Sequence, residues 1–186
     1  MTFKDIYQLM SDSGFCERLK NNQTILKLTG GEPLIQQKKL SKFILYFNFR
    51  SNFMPRIDFE TNGTILPDNV WTNYCGATFT VSPKLSSNGD PEDKRYVPEV
   101  LEWHANNIGG SYFKFVVQTE KDIEEIAEKY ITKYSINADR VWFMPCCGSR
   151  AEHTENATRV AEWSKQWNVN FSPRLHLVLW DKALKV

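Results

Sequence analysis

Apolar residues recur at helical spacing along three stretches of the chain, and in short alternating or unbroken runs along six others. In "TEKDIEEIAEKYITKY", Ile123, Ile126, Ala127, Tyr130, Ile131 and Tyr134 share one helical face, with Thr119 as N-cap and Asp122 in the capping-box position. "ENATRVAEWSKQW" repeats the pattern with Ala157, Val160, Ala161, Ser164 and Trp167, and "FKDIYQLM" does so over a shorter span ending near Gly14. The runs "TILKLT", "RIDFET", "ATFTVS", "YFKFVV", "RVWFMP" and "RLHLVLW" carry the β-branched and aromatic residues of strands. Within them Phe113, Phe115 and Val117 alternate with Tyr112, Lys114 and Val116, which predicts a buried strand face without catalytic duty. Helices alternating with strands predict an α/β fold whose parallel sheet has helical crossovers, either doubly wound or a barrel. "LSSNGDPEDKRYVP", Leu85 to Pro98, reads as a long loop inside the domain, since strong elements flank it.

Composition narrows the function. The 186 residues, 41% hydrophobic and 24% charged, suit a single domain, 1–186. The 23 basic and 22 acidic side chains leave a net charge of +1 without a block of either sign, so the expected ligand is a small molecule, with no nucleic acid and no membrane as partner. The apolar runs are too short for a membrane span and "MTFKDIYQLM" lacks signal-peptide order, which predicts a cytoplasmic protein. Cys16, Cys75, Cys146 and Cys147 fit neither a disulfide framework nor paired zinc spacing and read as buried, reduced thiols.

The residues of unusual chemistry fall where strands end: "TGGEP", "ETNGT", "SPK" and "MPCCG". Parallel α/β folds bind ligands outside the carboxyl ends of their strands, so these turns are the candidate site. Gly30 and Gly31 permit positive φ and close backbone approach, Glu32 adds a carboxylate, and Pro33 ends the strand. Such a turn suits an ammonium better than a phosphate, which the carboxylate would repel. Alone, it is also an ordinary strand-to-helix connection. Glu60 and Asn62 stand at a strand mouth and can bond a polar ligand, while Asn-Gly is also a common turn dipeptide. Lys84 reads as a ligand contact or a solvated charge, and His176 as a catalytic group or a rim histidine.

The order GGEP, ETNGT, SPK, FKFVV, a strand ending in MP, and RLHLVLW resembles the 7-carboxy-7-deazaguanine synthase family of radical S-adenosylmethionine (radical SAM) enzymes, from about Thr24 to Trp180. The resemblance implies a partial parallel (β/α) barrel. It also implies a carbon–nitrogen lyase that contracts the ring of 6-carboxy-5,6,7,8-tetrahydropterin to 7-carboxy-7-deazaguanine with loss of ammonia, on the route to queuosine. By that resemblance Thr29, Gly30, Gly31, Glu32 and Pro33 hold the amino group of S-adenosylmethionine, and Asn62, Ser82 and Lys84 approach its carboxylate and ribose. Thr29, Glu60 and His176 face the pterin substrate. Glu60 and His176 are the catalytic candidates, with Glu60 managing a proton through a raised pKa. The implied cofactors are S-adenosylmethionine, a 4Fe-4S cluster and Mg2+.

The family's cluster sits on a CxxxCxxC loop, and no cysteines here have that spacing. The expectation is a chain lacking the family's first strand, its cluster loop and the loop threonine associated with magnesium, and inactive without them. "WDKALKV" also departs from the family's glycine- and arginine-containing tail. "TILKLT" would then form a sheet edge, open to a second copy or to a complementing amino-terminal fragment. Another radical SAM branch, such as an activating-enzyme relative, and a non-catalytic remnant binding S-adenosylmethionine or pterin remain alternatives.

Overall fold

A computed structural model describes residues 1–74 and 76–183. The expectation of a buried, reduced Cys75 lies outside the described residues, as do the last three residues of "WDKALKV". The fold is α/β. Its six strands follow chain order, β1-β2-β3-β4-β5-β6, in a parallel arrangement consistent with part of a (β/α) barrel. The strands are β1 (Leu26–Leu28), β2 (Ile57–Thr61), β3 (Ala77–Val81), β4 (Ser111–Val117), β5 (Val141–Pro145) and β6 (Asn170–Phe171). The helices are α1 (Phe3–Asp12), α2 (Phe15–Lys20), α3 (Gln37–Ser51), α4 (Asn69–Thr72), α5 (Glu92–Arg95), α6 (Pro98–Asn106), α7 (Glu120–Ile126), α8 (Arg150–Gln166) and α9 (Leu175–Trp180). Among the described residues no helix is long and apolar enough to cross a membrane. The chain divides into two compact units, residues 1–61 with 65–79, and residues 62–64 with 80 onward.

In the first unit, β1 pairs with β2 in parallel register, Leu26 with Ile57 and Leu28 with Phe59. Phe59 on β2 is fully buried, 4.8 Å from the Trp71 ring and 5.4 Å from the Phe79 ring. Aromatic pairs of this kind contribute about 0.5–1.5 kcal/mol each beyond their area. Asp58 is buried on the same strand, and its charge is answered by Lys27 Nζ at 2.6 Å and by the Thr78 hydroxyl at 3.0 Å. Helix α1 opens on a capping box between Thr2 and Asp5 and packs on α2 and α3. β1 stands at the end of the strand order, as expected for "TILKLT".

In the second unit, β4 pairs with β5 and β5 with β6, both parallel. Ser111, Phe113, Phe115 and Val117 are fully buried, which bears out the predicted strand face. Helix α7 opens on the predicted capping box, Thr119 with Asp122. It then widens into a π-helical turn, Ala127–Thr132, that carries Tyr130 to 5.0 Å from the Phe115 ring. Helix α8 buries Val160 and Ser164 as expected, but its large inward residue is Trp163. Trp167 lies past the last turn, as the C-cap, and is exposed.

"RLHLVLW" is a helix, α9, and not the expected strand. Its three leucines are good helix formers, Pro173 breaks the preceding extended segment, and only Leu177 is buried. The sixth strand is instead the two-residue β6, too short for periodicity to reveal. Arg140 carries the junction of these elements. Its guanidinium donates to Ser111 O at 2.9 Å, Ala105 O at 2.7 Å and His104 O at 2.8 Å, and so satisfies carbonyls at the end of α6 and the start of β4. His104 is fully buried beside it, and burial together with the Arg140 charge pushes the imidazole pKa down to about 3.

Replacing Arg140 by Met keeps the stem and leaves those carbonyls without donors. The expected cost is about 2–4 kcal/mol, at roughly 1 kcal/mol or more per charged hydrogen bond. Urea unfolding measures it, and a loss below about 0.5 kcal/mol would show that water replaces the guanidinium freely.

Candidate functional site

The turn after β1 has the backbone that its glycines imply. Gly30 has φ +97° and Gly31 φ +55°, and a β-carbon on either would meet nothing within 4 Å. Conformation therefore demands glycine here while the space beside the turn stays open. Glu32 is 9% exposed and its Oε1 accepts from Leu34 N at 3.1 Å and from the Thr61 hydroxyl at 2.9 Å. Pro33 opens the short 3-10 turn that Glu32 caps. The Thr29 hydroxyl lies 3.4 Å from Glu60 Oε2, a long contact between neighbouring strand ends. Thr29, Gly30, Gly31, Glu32, Pro33 and Glu60 thus gather in the first unit.

Asn62, Ser82, Lys84 and His176 belong to the second unit. Asn62 Oδ1 accepts from Thr64 N at 3.0 Å and from the Thr64 hydroxyl at 2.6 Å, folding the segment into an Asx-turn. Between them Gly63 has φ +77°, and a β-carbon there would stand 2.9 Å from Val81 Cγ1. A cavity of about 410 Å3 is lined by Ser82, Lys84, Val116, Gln118, Cys146 and Arg174, among others. Its size falls in the range of small-molecule sites. His176 is exposed on α9 and outside this lining, whereas Arg174 enters it.

Gln118 and Arg174 are lining residues that the sequence reading did not single out, and Cys146 entered it only within the "MPCCG" turn and as a thiol. For Gln118 and Cys146 the signal was present, because each directly follows a strand, β4 or β5. Arg174 opens the segment read as a strand, so its position went unseen. Cys146 is half-buried, which corrects the expectation of a buried thiol, while Cys16 and Cys147 are buried and all three are free. Burial pushes the Cys16 and Cys147 thiols up, away from the thiolate form.

The Lys84 loop is held by an ion pair. Arg95, 5% exposed in a segment read as loop, donates from Nη1 to Lys84 O at 3.0 Å and to Glu125 Oε1 at 2.8 Å. Glu125 Oε2 accepts from Ser86 N at 2.9 Å and from the Ser86 hydroxyl. Burial alone would push the Glu125 carboxyl up, but the bonds from Ser86 and Arg95 outweigh it and hold the acid below its usual value of 4.5.

The open glycine turn in the first unit and the cation-lined cavity in the second each have the chemistry to contact S-adenosylmethionine, the one offering a carboxylate and the other ammonium and guanidinium groups. A four-iron cluster and Mg2+ do not fit the described residues. Cys146 and Cys147 are consecutive and Cys16 lies in a helix, and no three His, Cys, Asp or Glu side chains among the described residues are grouped to hold a metal ion.

No protein-family model matches the chain. It is similar to three curated proteins, each named 7-carboxy-7-deazaguanine synthase. It is 34% identical to that of Hyperthermus butylicus over 164 residues, 31% to that of Pyrobaculum aerophilum over 159, and 27% to that of Halobacterium salinarum over 175. Each match covers 84% of this chain and 65% of the relative, so the chain spans just under two thirds of the relatives' length.

The Glu125 clamp has a definite pH signature. Because its folded pKa lies below the ordinary value, the stabilisation is present above that value and is lost as pH falls through the folded one. Hydrogen exchange, corrected for intrinsic rates, should show the Ser86 amide protected at about pH 7 and progressively released as the pH falls below the ordinary carboxyl value of 4.5. Glu125→Gln should release it throughout that range. Protection unchanged by Gln would mean that the loop is held by other contacts.

Proposed function

We propose that the chain belongs to the 7-carboxy-7-deazaguanine synthase family and carries ligand-binding turns of a radical SAM lyase that contracts 6-carboxy-5,6,7,8-tetrahydropterin to 7-carboxy-7-deazaguanine with loss of ammonia, in queuosine biosynthesis. The observation that carries this reading is the 34% identity to the Hyperthermus butylicus protein over 84% of the chain. The chemistry of the strand-end turns supports it further.

When bound, S-adenosylmethionine would supply the radical that takes a substrate hydrogen, once an electron from a reduced iron–sulfur cluster, for which the described residues offer no ligand set, had cleaved it. The chain's own residues bind, orient and move protons. The Thr29–Pro33 turn receives an ammonium, since the glycines leave backbone accessible and the Glu32 carboxylate is fixed by Leu34 N and Thr61. Ser82 and Lys84 face a carboxylate and sugar hydroxyls from the rim of the 410 Å3 cavity, with Asn62 on the neighbouring turn. Arg174 lines the same cavity and adds a second cation toward an anionic group. Glu60, half-buried and in contact with the Thr29 hydroxyl, holds or moves a proton at the pterin, and Thr29 orients it. His176 is assigned to the substrate side by resemblance, and its exposed position on α9 leaves its ring accessible.

Anaerobic incubation of the chain, complemented with the family's cluster-binding segment, with S-adenosylmethionine, the pterin and a reductant, followed by mass detection of product, tests the function. Absence of both product and S-adenosylmethionine binding would overturn it. In the complemented protein Glu60→Gln should lower turnover about 100-fold or more, the scale of a lost acid–base group, while S-adenosylmethionine affinity stays within about twofold. If the substitution instead abolished that affinity and spared turnover at saturation, Glu60 would belong to the cofactor side.

A further inference from the structure

The Arg174 amide lies between Pro173 and α9, where neither a strand ladder nor a helix offers its hydrogen an acceptor. His153, 7% exposed in the first turn of α8, accepts it on Nε2 at 3.3 Å. Arg174 is held at two further points. Its carbonyl accepts from Leu177 N at 2.9 Å and from Val178 N at 3.3 Å, and its Nη1 donates to Cys147 O. The backbone on both sides of the side chain and one end of the guanidinium are thus fixed.

The other edge of the guanidinium is left for a ligand. Arg174 is half-buried and lines the 410 Å3 cavity together with Lys84, and among the described residues no carboxylate joins that lining. Among the described residues Arg174 also joins no ion pair, and its Nε and Nη2 have no protein acceptor. Nε and Nη2 are the donors that grip a carboxylate through two parallel bonds, a geometry that a shift of about 1 Å undoes. His153 is outside the lining, so it reaches a ligand only through Arg174.

We propose that His153 is a positioning residue: by accepting the Arg174 amide it sets the guanidinium so that Nε and Nη2 take the carboxylate of the ligand in this cavity. The inference rests on the reading of the cavity as the carboxylate and ribose side of S-adenosylmethionine, and adds to it the group that fixes the second cation. A phenyl ring in place of the imidazole fills the same space and cannot accept, whereas a glutamine can.

Calorimetric titration of the whole chain with S-adenosylmethionine, and separately with its decarboxylated analogue, tests the assignment. Arg174→Gln should weaken S-adenosylmethionine about tenfold, the scale of a lost charge-assisted contact, without weakening the analogue. His153→Phe should do the same, and the two substitutions together should cost no more than Arg174→Gln alone, because both act through one guanidinium. His153→Gln should keep the affinity within about threefold of the unsubstituted chain. Hydrogen exchange reads the bond without a ligand: the Arg174 amide should exchange about tenfold faster or more in the His153→Phe chain and not in the His153→Gln chain. Unchanged exchange in His153→Phe, a loss shared by the analogue, or losses that add in the double variant would overturn the proposal. A chain that binds S-adenosylmethionine as tightly with His153→Phe as without it overturns this inference alone, whereas an unsubstituted chain that binds neither ligand overturns the functional reading and this inference with it.

Discussion

Parallel strands cannot be joined by a hairpin, because each chain segment must travel back to the starting end before the next strand begins. That constraint organises this protein. β1 with β2, β4 with β5 and β5 with β6 are all parallel pairs, so strand interiors are committed to packing and ladder bonds. Phe59, Phe113, Phe115 and Phe143 are completely buried for that reason. Chemistry is left to the residues just past each strand, where backbone is released from the ladder. Gly30 and Gly31 follow β1, Asn62 follows β2, Ser82 follows β3, Gln118 follows β4 and Cys146 follows β5.

Buried charges show how differently one residue type is used. Arg140 is surrounded by carbonyl oxygens, so its cation is solvated by backbone dipoles and serves the joint between α6 and β4. Asp58 is neutralised within its own sheet by Lys27. Arg95 is the exception, since it satisfies a loop and an acid with one edge and leaves Nε without an acceptor.

The sequence disclosed those features whose physics is local. Alternation along β4, the capping box of α7 and the glycine turn after β1 depend on residues within a few positions of one another, and all three are present in the structure. What stayed hidden depends on distant partners. Arg95 looked like loop chemistry because Glu125, 30 residues away, is what buries it. "RLHLVLW" misled because a continuous apolar run has no period to separate helix from strand, and β6 was too short to have one. The candidate site was legible as strand-end motifs, but Arg174 was not, since its place follows from α9 being a helix.

The separation of Glu125 from its partners has a consequence for the order in which the molecule forms. Ser86 is 39 residues and Arg95 is 30 residues from the carboxylate that holds them, with all of α6 and β4 in between. Closing such loops is opposed by chain entropy until intervening elements have shortened the path. The segment bearing Lys84 therefore sets only after β4 has paired and α7 has docked. A chain still emerging from the ribosome that has not reached Glu125 holds β1 to β4 at most and lacks the carboxylate that holds Ser86 and Arg95.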